Sequence, residues 1–81
     1  MNKNIWEQIK SINKNELIKA LEKDGWILDT EHNKQRTYRK GTDKVTIHYH
    51  NTDFKNPKLL KMLLEFIGWD EKDYRRLKLI K

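Results

Sequence analysis

Two histidines near the middle of the chain are the side chains best suited to chemistry. His48 and His50 stand two residues apart in a segment rich in β-branched and aromatic residues, which predicts a strand over residues 44–50. Side chains two apart on a strand project from the same face, so the two imidazoles would lie side by side. Because imidazole titrates near neutral pH, one ring could take a proton from a ribose 2′-hydroxyl and the other protonate the leaving 5′-oxygen, as RNA cleavage requires.

Two other interpretations of this histidine pair stay open. The pair could hold a metal ion, but a third ligand is available only if His32, Asp53 or Asp29 approaches. Alternatively, both are half-exposed strand residues that take part in no reaction. We expect neither a metal nor a cofactor. The absence of cysteine excludes a thiol nucleophile, and a single serine argues against a Ser-His-Asp hydrolase.

Positive charge is concentrated around these histidines. The chain has 18 Lys and Arg against 12 Asp and Glu, a net charge of +6. Residues 34–61 contain eight of the basic side chains and two of the acidic ones, so the whole excess lies there. Such a surface is typical of proteins that bind a polyanion, although a solvated lysine-rich surface is the alternative. The predicted phosphate ligands are Lys34, Arg36, Arg39, Lys40, Lys44, Lys55 and Lys58.

Length and composition predict one small domain over residues 1–81. A chain of 81 residues is too short for two cores of useful size. Without cysteine its stability must come from packing, which favours a reducing compartment. No apolar run approaches the roughly 20 residues of a membrane span, and the N-terminus lacks a signal pattern. We therefore expect a cytoplasmic protein that is not associated with a membrane.

Two long helices are predicted from their start and stop signals. Asn13, with a glutamate three residues later, forms a capping box before a helix over residues 14–24. Asn56, followed by proline, begins the second long helix, and Gly68 ends it. Shorter helices are expected near the two ends of the chain, before residue 12 and over about residues 70–77.

The segment between the long helices predicts an antiparallel sheet with strands over residues 26–30, 35–40 and 44–50. A turn at residues 40–43 would pair Arg39 with Lys44. The same register places Gln35 opposite His48, on the face that the helices leave open. The predicted fold class is therefore α+β, in the order α-β-β-β-α with extra helices at both ends.

Several strings in this order resemble the HicA (YcfA-like) family, the toxins of HicBA toxin–antitoxin pairs. The matching strings are ELIKALEKDGW at 16–26, YRKG at 38–41, VTIHYH at 45–50 and PKLLKMLLEFIGW at 57–69. The resemblance covers residues 13–69 and leaves residues 1–12 and 70–81 as extensions. It implies a double-stranded-RNA-binding-domain-like fold, cleavage of mRNA and a HicB-like antitoxin as partner. For the extensions, three roles are open: a feature of a subgroup, a homodimer surface and part of the antitoxin interface.

One position departs from the pattern of that family. The family's catalytic histidine ends a Gly-Ser-His element three residues before a strand aromatic, and aligning that aromatic on Tyr38 puts Gln35 in its place. Glutamine cannot act as a general base. Three alternatives follow: the chain binds RNA without cleaving it, the chemistry has moved to His48 or His50, or the strand is misaligned and His32 fills the role.

The sequence thus predicts a toxin that binds single-stranded or structured mRNA and cleaves it, with His48 and His50 as acid and base. A catalytically inactive module that binds RNA or an antitoxin is the main alternative. A small interaction protein with an acidic partner is the third.

Overall fold

The structure, a computed structural model, describes residues 2–48, 54 and 56–81. Within them the order is α1 (Lys3–Ile9), α2 (Lys14–Lys23), β1 (Ile27–His32), β2 (Gln35–Lys40), β3 (Asp43–His48), α3 (Pro57–Ile67) and α4 (Glu71–Arg76). The strands form one antiparallel sheet in the order β1-β2-β3. The protein is therefore α+β, as predicted. None of the described helices is long and apolar enough to cross a membrane.

Both long helices begin at the predicted residues; α3 also ends as predicted, whereas α2 ends at Lys23, one residue before its predicted end. The Asn13 side chain accepts the Glu16 backbone N–H at 2.9 Å, and the Glu16 carboxylate accepts the Asn13 N–H at 3.2 Å. Asn56 caps α3 with Pro57 in the first turn. Gly68 ends that helix with a φ of +81°, a left-handed conformation that glycine adopts without steric cost. Local capping chemistry thus fixes the two helices that precede and follow the sheet in the sequence.

One hydrophobic core joins the helices to one face of the sheet. Tyr38 on β2 and Ile47 on β3 are each 1% exposed and pack with the buried leucines of α2 and α3. The terminal segments belong to the same core, since Ile9 of α1 and Tyr74 of α4 are buried within it. Residues 1–12 and 70–81, which the sequence marks as extensions, therefore supply core side chains.

The sheet register follows the prediction for β2 and β3 and adds a bulge to β1. Arg39 pairs with Lys44, as the turn predicted. Strand β1 runs to His32, two residues beyond its predicted end, and its register shifts between Leu28 and Thr30. Because a bulge inserts one extra residue, Leu28 lies on the helix-facing side while Thr30 and His32 lie on the open face.

The β1–β2 turn forces a lysine into a left-handed conformation. Asn33 and Lys34 have φ values of +48° and +61°. Two positive φ values in a two-residue hairpin are those of a type I′ turn, which favours Asn-Gly. At the second position, the Cβ of lysine lies too close to the following carbonyl oxygen, a steric strain that glycine would not have.

Replacing Lys34 with glycine is expected to raise the free energy of unfolding by about 1 kcal/mol, because the relieved strain exceeds the extra flexibility of the unfolded chain. Urea unfolding measures this gain. Lys34→Ala is the matched control, since it removes the same charge and keeps the Cβ. An equal gain for the alanine variant would contradict the assignment of strain.

Candidate functional site

Three polar side chains form a row across the open face at one end of the sheet. His32 on β1 pairs with Gln35 on β2, and Gln35 pairs with His48 on β3. Directly paired residues of antiparallel strands project from the same face, so the two histidines flank the glutamine. With strands about 4.8 Å apart, the Cα atoms of His32 and His48 are separated by about 10 Å. We call this set the His32–Gln35–His48 row.

The row is open to solvent and continues along the sheet in polar side chains. All three members are exposed. Asn33 Nδ2 lies 3.0 Å from His32 Nε2, a contact in which the amide NH2 donates. Beside the row, the Thr37 and Thr46 hydroxyl oxygens lie 2.9 Å apart in a hydrogen bond across β2 and β3. A substrate can therefore reach both imidazoles from the same side.

The structure brings together part of the predicted catalytic set and adds a residue to it. Gln35 lies opposite His48, as the register predicted. His50, the predicted partner of His48, lies outside the described residues. From the sequence, His32 was considered as a third metal ligand and as a substitute for Gln35, but not as a partner of His48 in catalysis, and the first strand was expected to end at Thr30. The Asn33-Lys34 turn was the signal that could have placed His32 beside Gln35.

The predicted phosphate ligands do not share one surface. Arg39 and Lys44 form a cross-strand pair on the open face, whereas Arg36 and Lys40 alternate with Arg39 along β2 and project from the helix-facing side. Lys34 lies in the turn next to His32. Lys58 is exposed in the first turn of α3, and Lys55 is outside the described residues. The sheet therefore divides the basic segment between its two faces.

Three of these basic side chains already contact carboxylates. The ion pairs are Arg36 Nε to Glu31 at 2.6 Å, Lys40 Nζ to Asp24 at 3.1 Å and Lys44 Nζ to Asp29 at 3.4 Å. Hydrogen bonds with Tyr38 and Glu31 also raise the pKa of Arg36 above its ordinary value. In the part of the chain that the structure describes, Lys34, Arg39 and Lys58 form no ion pair, so their charges are available to a polyanion.

A second polar cluster surrounds Asp24, away from the open face. Its carboxylate, 8% exposed, accepts the indole N–H groups of Trp26 at 3.2 Å and Trp69 at 2.8 Å. It also pairs with Lys40 and Arg76. Burial works to raise the pKa of Asp24, but the hydrogen bonds from Trp69, Arg76 and Lys40 outweigh it and lower the pKa to about 2. This Asp24 cluster is permanently charged and fully engaged near neutral pH, which suits stability rather than acid–base catalysis.

Over residues 2–48, 54 and 56–81, no three His, Asp or Glu side chains lie close enough together to hold a metal ion. The His32–Gln35–His48 row supplies two imidazoles and an amide, a set suited to proton transfer and hydrogen bonding.

Comparison with known proteins finds no relative of this chain: no protein family, curated protein or solved structure matches it.

Proposed function

We propose that this protein is an RNA-binding endoribonuclease of the HicA type, a cytoplasmic toxin held in check by a HicB-like antitoxin. The observation that carries the proposal is the exposed His32–Gln35–His48 row, which offers two imidazoles on one face of the sheet. The order α2, β1, β2, β3, α3 also fits the double-stranded-RNA-binding-domain-like fold of the family that the sequence resembles. We include that fold in the proposal.

Cleavage in this proposal divides the work among the three members of the row. One imidazole removes the ribose 2′-hydroxyl proton, the hydroxyl oxygen attacks the adjacent phosphorus, and the other imidazole protonates the departing 5′-oxygen. The Gln35 amide N–H, between them, donates to a phosphate oxygen as negative charge develops. Gln35 then serves as a phosphate ligand, and the absence of a histidine at its position does not exclude catalysis.

The RNA backbone lies on the open face in this proposal and is held by Lys34, Arg39 and Lys44. Lys34 lies in the β1–β2 turn, two residues after His32, and Arg39 makes no ion pair within the described residues. Lys44 forms an ion pair with Asp29, so a phosphate must compete with that carboxylate for its ammonium group. We leave out Arg36 and Lys40, because both project from the helix-facing side and each contacts a carboxylate. So small a cationic set predicts modest affinity with a shallow salt dependence, because the slope of log affinity against log salt grows with the number of phosphate contacts.

The proposal is tested by incubating the purified chain with single-stranded and hairpin RNA over a range of salt concentrations. Anisotropy of a labelled RNA measures binding, and gel electrophoresis measures cleavage. Binding without cleavage, even at high protein concentration, would select the second candidate, an inactive RNA-binding module, which Gln35 favours because it replaces the family's histidine. Neither binding nor cleavage at low salt would overturn both.

Replacing Arg39 with glutamine is expected to weaken RNA binding about fivefold, because one phosphate contact is lost, and to reduce the slope of log affinity against log salt by about one. Lys19→Gln is the matched control. Lys19 is exposed on α2, away from the sheet's open face, and loses the same charge. Equal effects of the two substitutions would mean that net charge, and not this face, governs binding.

A further inference from the structure

Helix α3 carries an apolar stripe on its outward side. Met62 and Phe66 are 61% and 60% exposed, whereas Leu60 and Leu64 of the same helix are buried in the core. Leu59, partly exposed, extends the stripe by one turn, since residues three and four apart lie on one side of a helix. Large apolar side chains grouped in this way on a surface mark a protein contact more often than scattered ones do. We call Leu59, Met62 and Phe66 the α3 stripe.

Charges of opposite sign lie at the two ends of the α3 stripe. Lys58 is exposed in the first turn of the helix and Glu65 in the last, seven residues or about 10.5 Å along the axis. Neither side chain forms an ion pair with any described residue. The surface is therefore apolar at its centre, positive at one end and negative at the other.

We propose that the α3 stripe binds a second copy of this chain, with the two α3 helices antiparallel about a two-fold axis near Met62. A two-fold interface places the same surface against itself, so it must be self-complementary. The antiparallel arrangement meets this condition, because along the helix axis it places each Lys58 about one residue's rise from the level of the partner's Glu65. A parallel arrangement would set like charges together.

The contact is small, so the dimer is weak. An eleven-residue helix is about 16 Å long, and one helix pair buries less than the roughly 1,200 Å² of a stable interface. We expect a dissociation constant of about 100 μM. Because α3 packs on the helix-facing side of the sheet, the dimer leaves the His32–Gln35–His48 row exposed on both copies. The inference therefore does not depend on the proposed function.

Sedimentation velocity without RNA, from about 10 μM to about 1 mM protein, tests the dimer. The mass is expected to rise from 9.9 kDa towards twice that value. Lys58→Glu should weaken the dimer at least about tenfold, because it faces the partner's Glu65 with a like charge. The double variant Lys58→Glu/Glu65→Lys should restore it. Both substitutions are favourable for the helix dipole, because they place a negative charge near the N-terminus of α3 and a positive charge near its C-terminus. We therefore expect the fold to be kept.

Lys19→Glu, the same charge change on α2, is the control and should leave the dimer unchanged. A second variant, Phe66→Ser, removes apolar area from an exposed position and should abolish association without unfolding the chain. A wild-type chain that stays monomeric up to about 1 mM would overturn the proposal and assign the stripe to a different protein. So would a dimer that tolerates Phe66→Ser, or a double variant that fails to restore association.

Discussion

Replacing Asp24 with asparagine is expected to lower the free energy of unfolding by about 3 kcal/mol at neutral pH. The carboxylate accepts two indole N–H groups and pairs with two cations, and asparagine keeps its size but loses its charge. The amide also turns an NH2 group towards donors. Since Asp24 joins the end of α2 to β2 and α4, the loss affects three parts of the core together. Urea unfolding followed by tryptophan fluorescence measures it.

Acid should reproduce part of the same loss in the wild-type chain. Asp24 has a pKa of about 2 in the folded protein against an ordinary value of 3.8. A depressed folded pKa contributes stability above about pH 4 that is lost as pH falls towards 2. At 1.36 kcal/mol per pKa unit, this contribution is about 2 kcal/mol. Asp24→Asn should therefore unfold with a weaker acid dependence than the wild type.

Asp29→Asn is the control for the Asp24 substitution. Asp29 has a single longer ion pair with Lys44 and a more exposed carboxylate, so its loss should cost less than about 1 kcal/mol. Equal stability losses at the two positions would show that the Asp24 cluster has no special role. An Asp24→Asn variant within about 0.5 kcal/mol of the wild type would show the same.

The features that the sequence predicted well depend on neighbouring residues. Asn13 and Glu16 form their capping box within one turn, and Gly68 needs only its own backbone to end α3. The register of β2 and β3 follows from the short turn that contains Gly41, which is why Gln35 could be placed opposite His48. Such interactions span only a few residues, or one hairpin, and the order of residues in the local sequence shows them directly.

The features that the sequence did not predict depend on distant contacts. The indole of Trp69 reaches Asp24 across 45 residues, and the guanidinium of Arg76 reaches it across 52. No local pattern specifies such a meeting. The bulge in β1 lies between Leu28 and Thr30, which pair with the adjacent residues Tyr38 and Thr37, and beyond it the end of β1 places His32 beside Gln35 on the open face.

The location of charge shows the same limit. Counting correctly assigns the basic excess to residues 34–61, but residues along a strand alternate between faces. Arg39 therefore faces solvent on the open side while Lys40, its neighbour, reaches Asp24 on the other. When basic residues follow one another along a strand, only about half of their side chains lie on the same face, so one ligand can contact at most that half. This is why the proposed RNA surface is smaller than the basic segment.

Replacing either His32 or His48 with alanine is expected to reduce RNA cleavage at least about 100-fold, since each removes one partner of the proposed acid–base pair. The double variant should lose little more than either single variant, because the two rings act as a unit. Binding should change less than about threefold, as neither side chain is needed to hold the backbone. Cleavage rates under single-turnover conditions and anisotropy on the same RNA separate the two effects.

The pattern among the histidine variants also identifies the partner of His48. If His32→Ala retains cleavage while His50→Ala loses it, the pair is the one that spacing along the strand predicted, and the His32–Gln35–His48 row is not the catalytic set.

Replacing Gln35 with alanine is expected to reduce the cleavage rate about tenfold, because one donor to the phosphate is lost. This effect is smaller than that of losing an imidazole. Thr46→Ala, on the same face one row away, is the control that should leave cleavage unchanged.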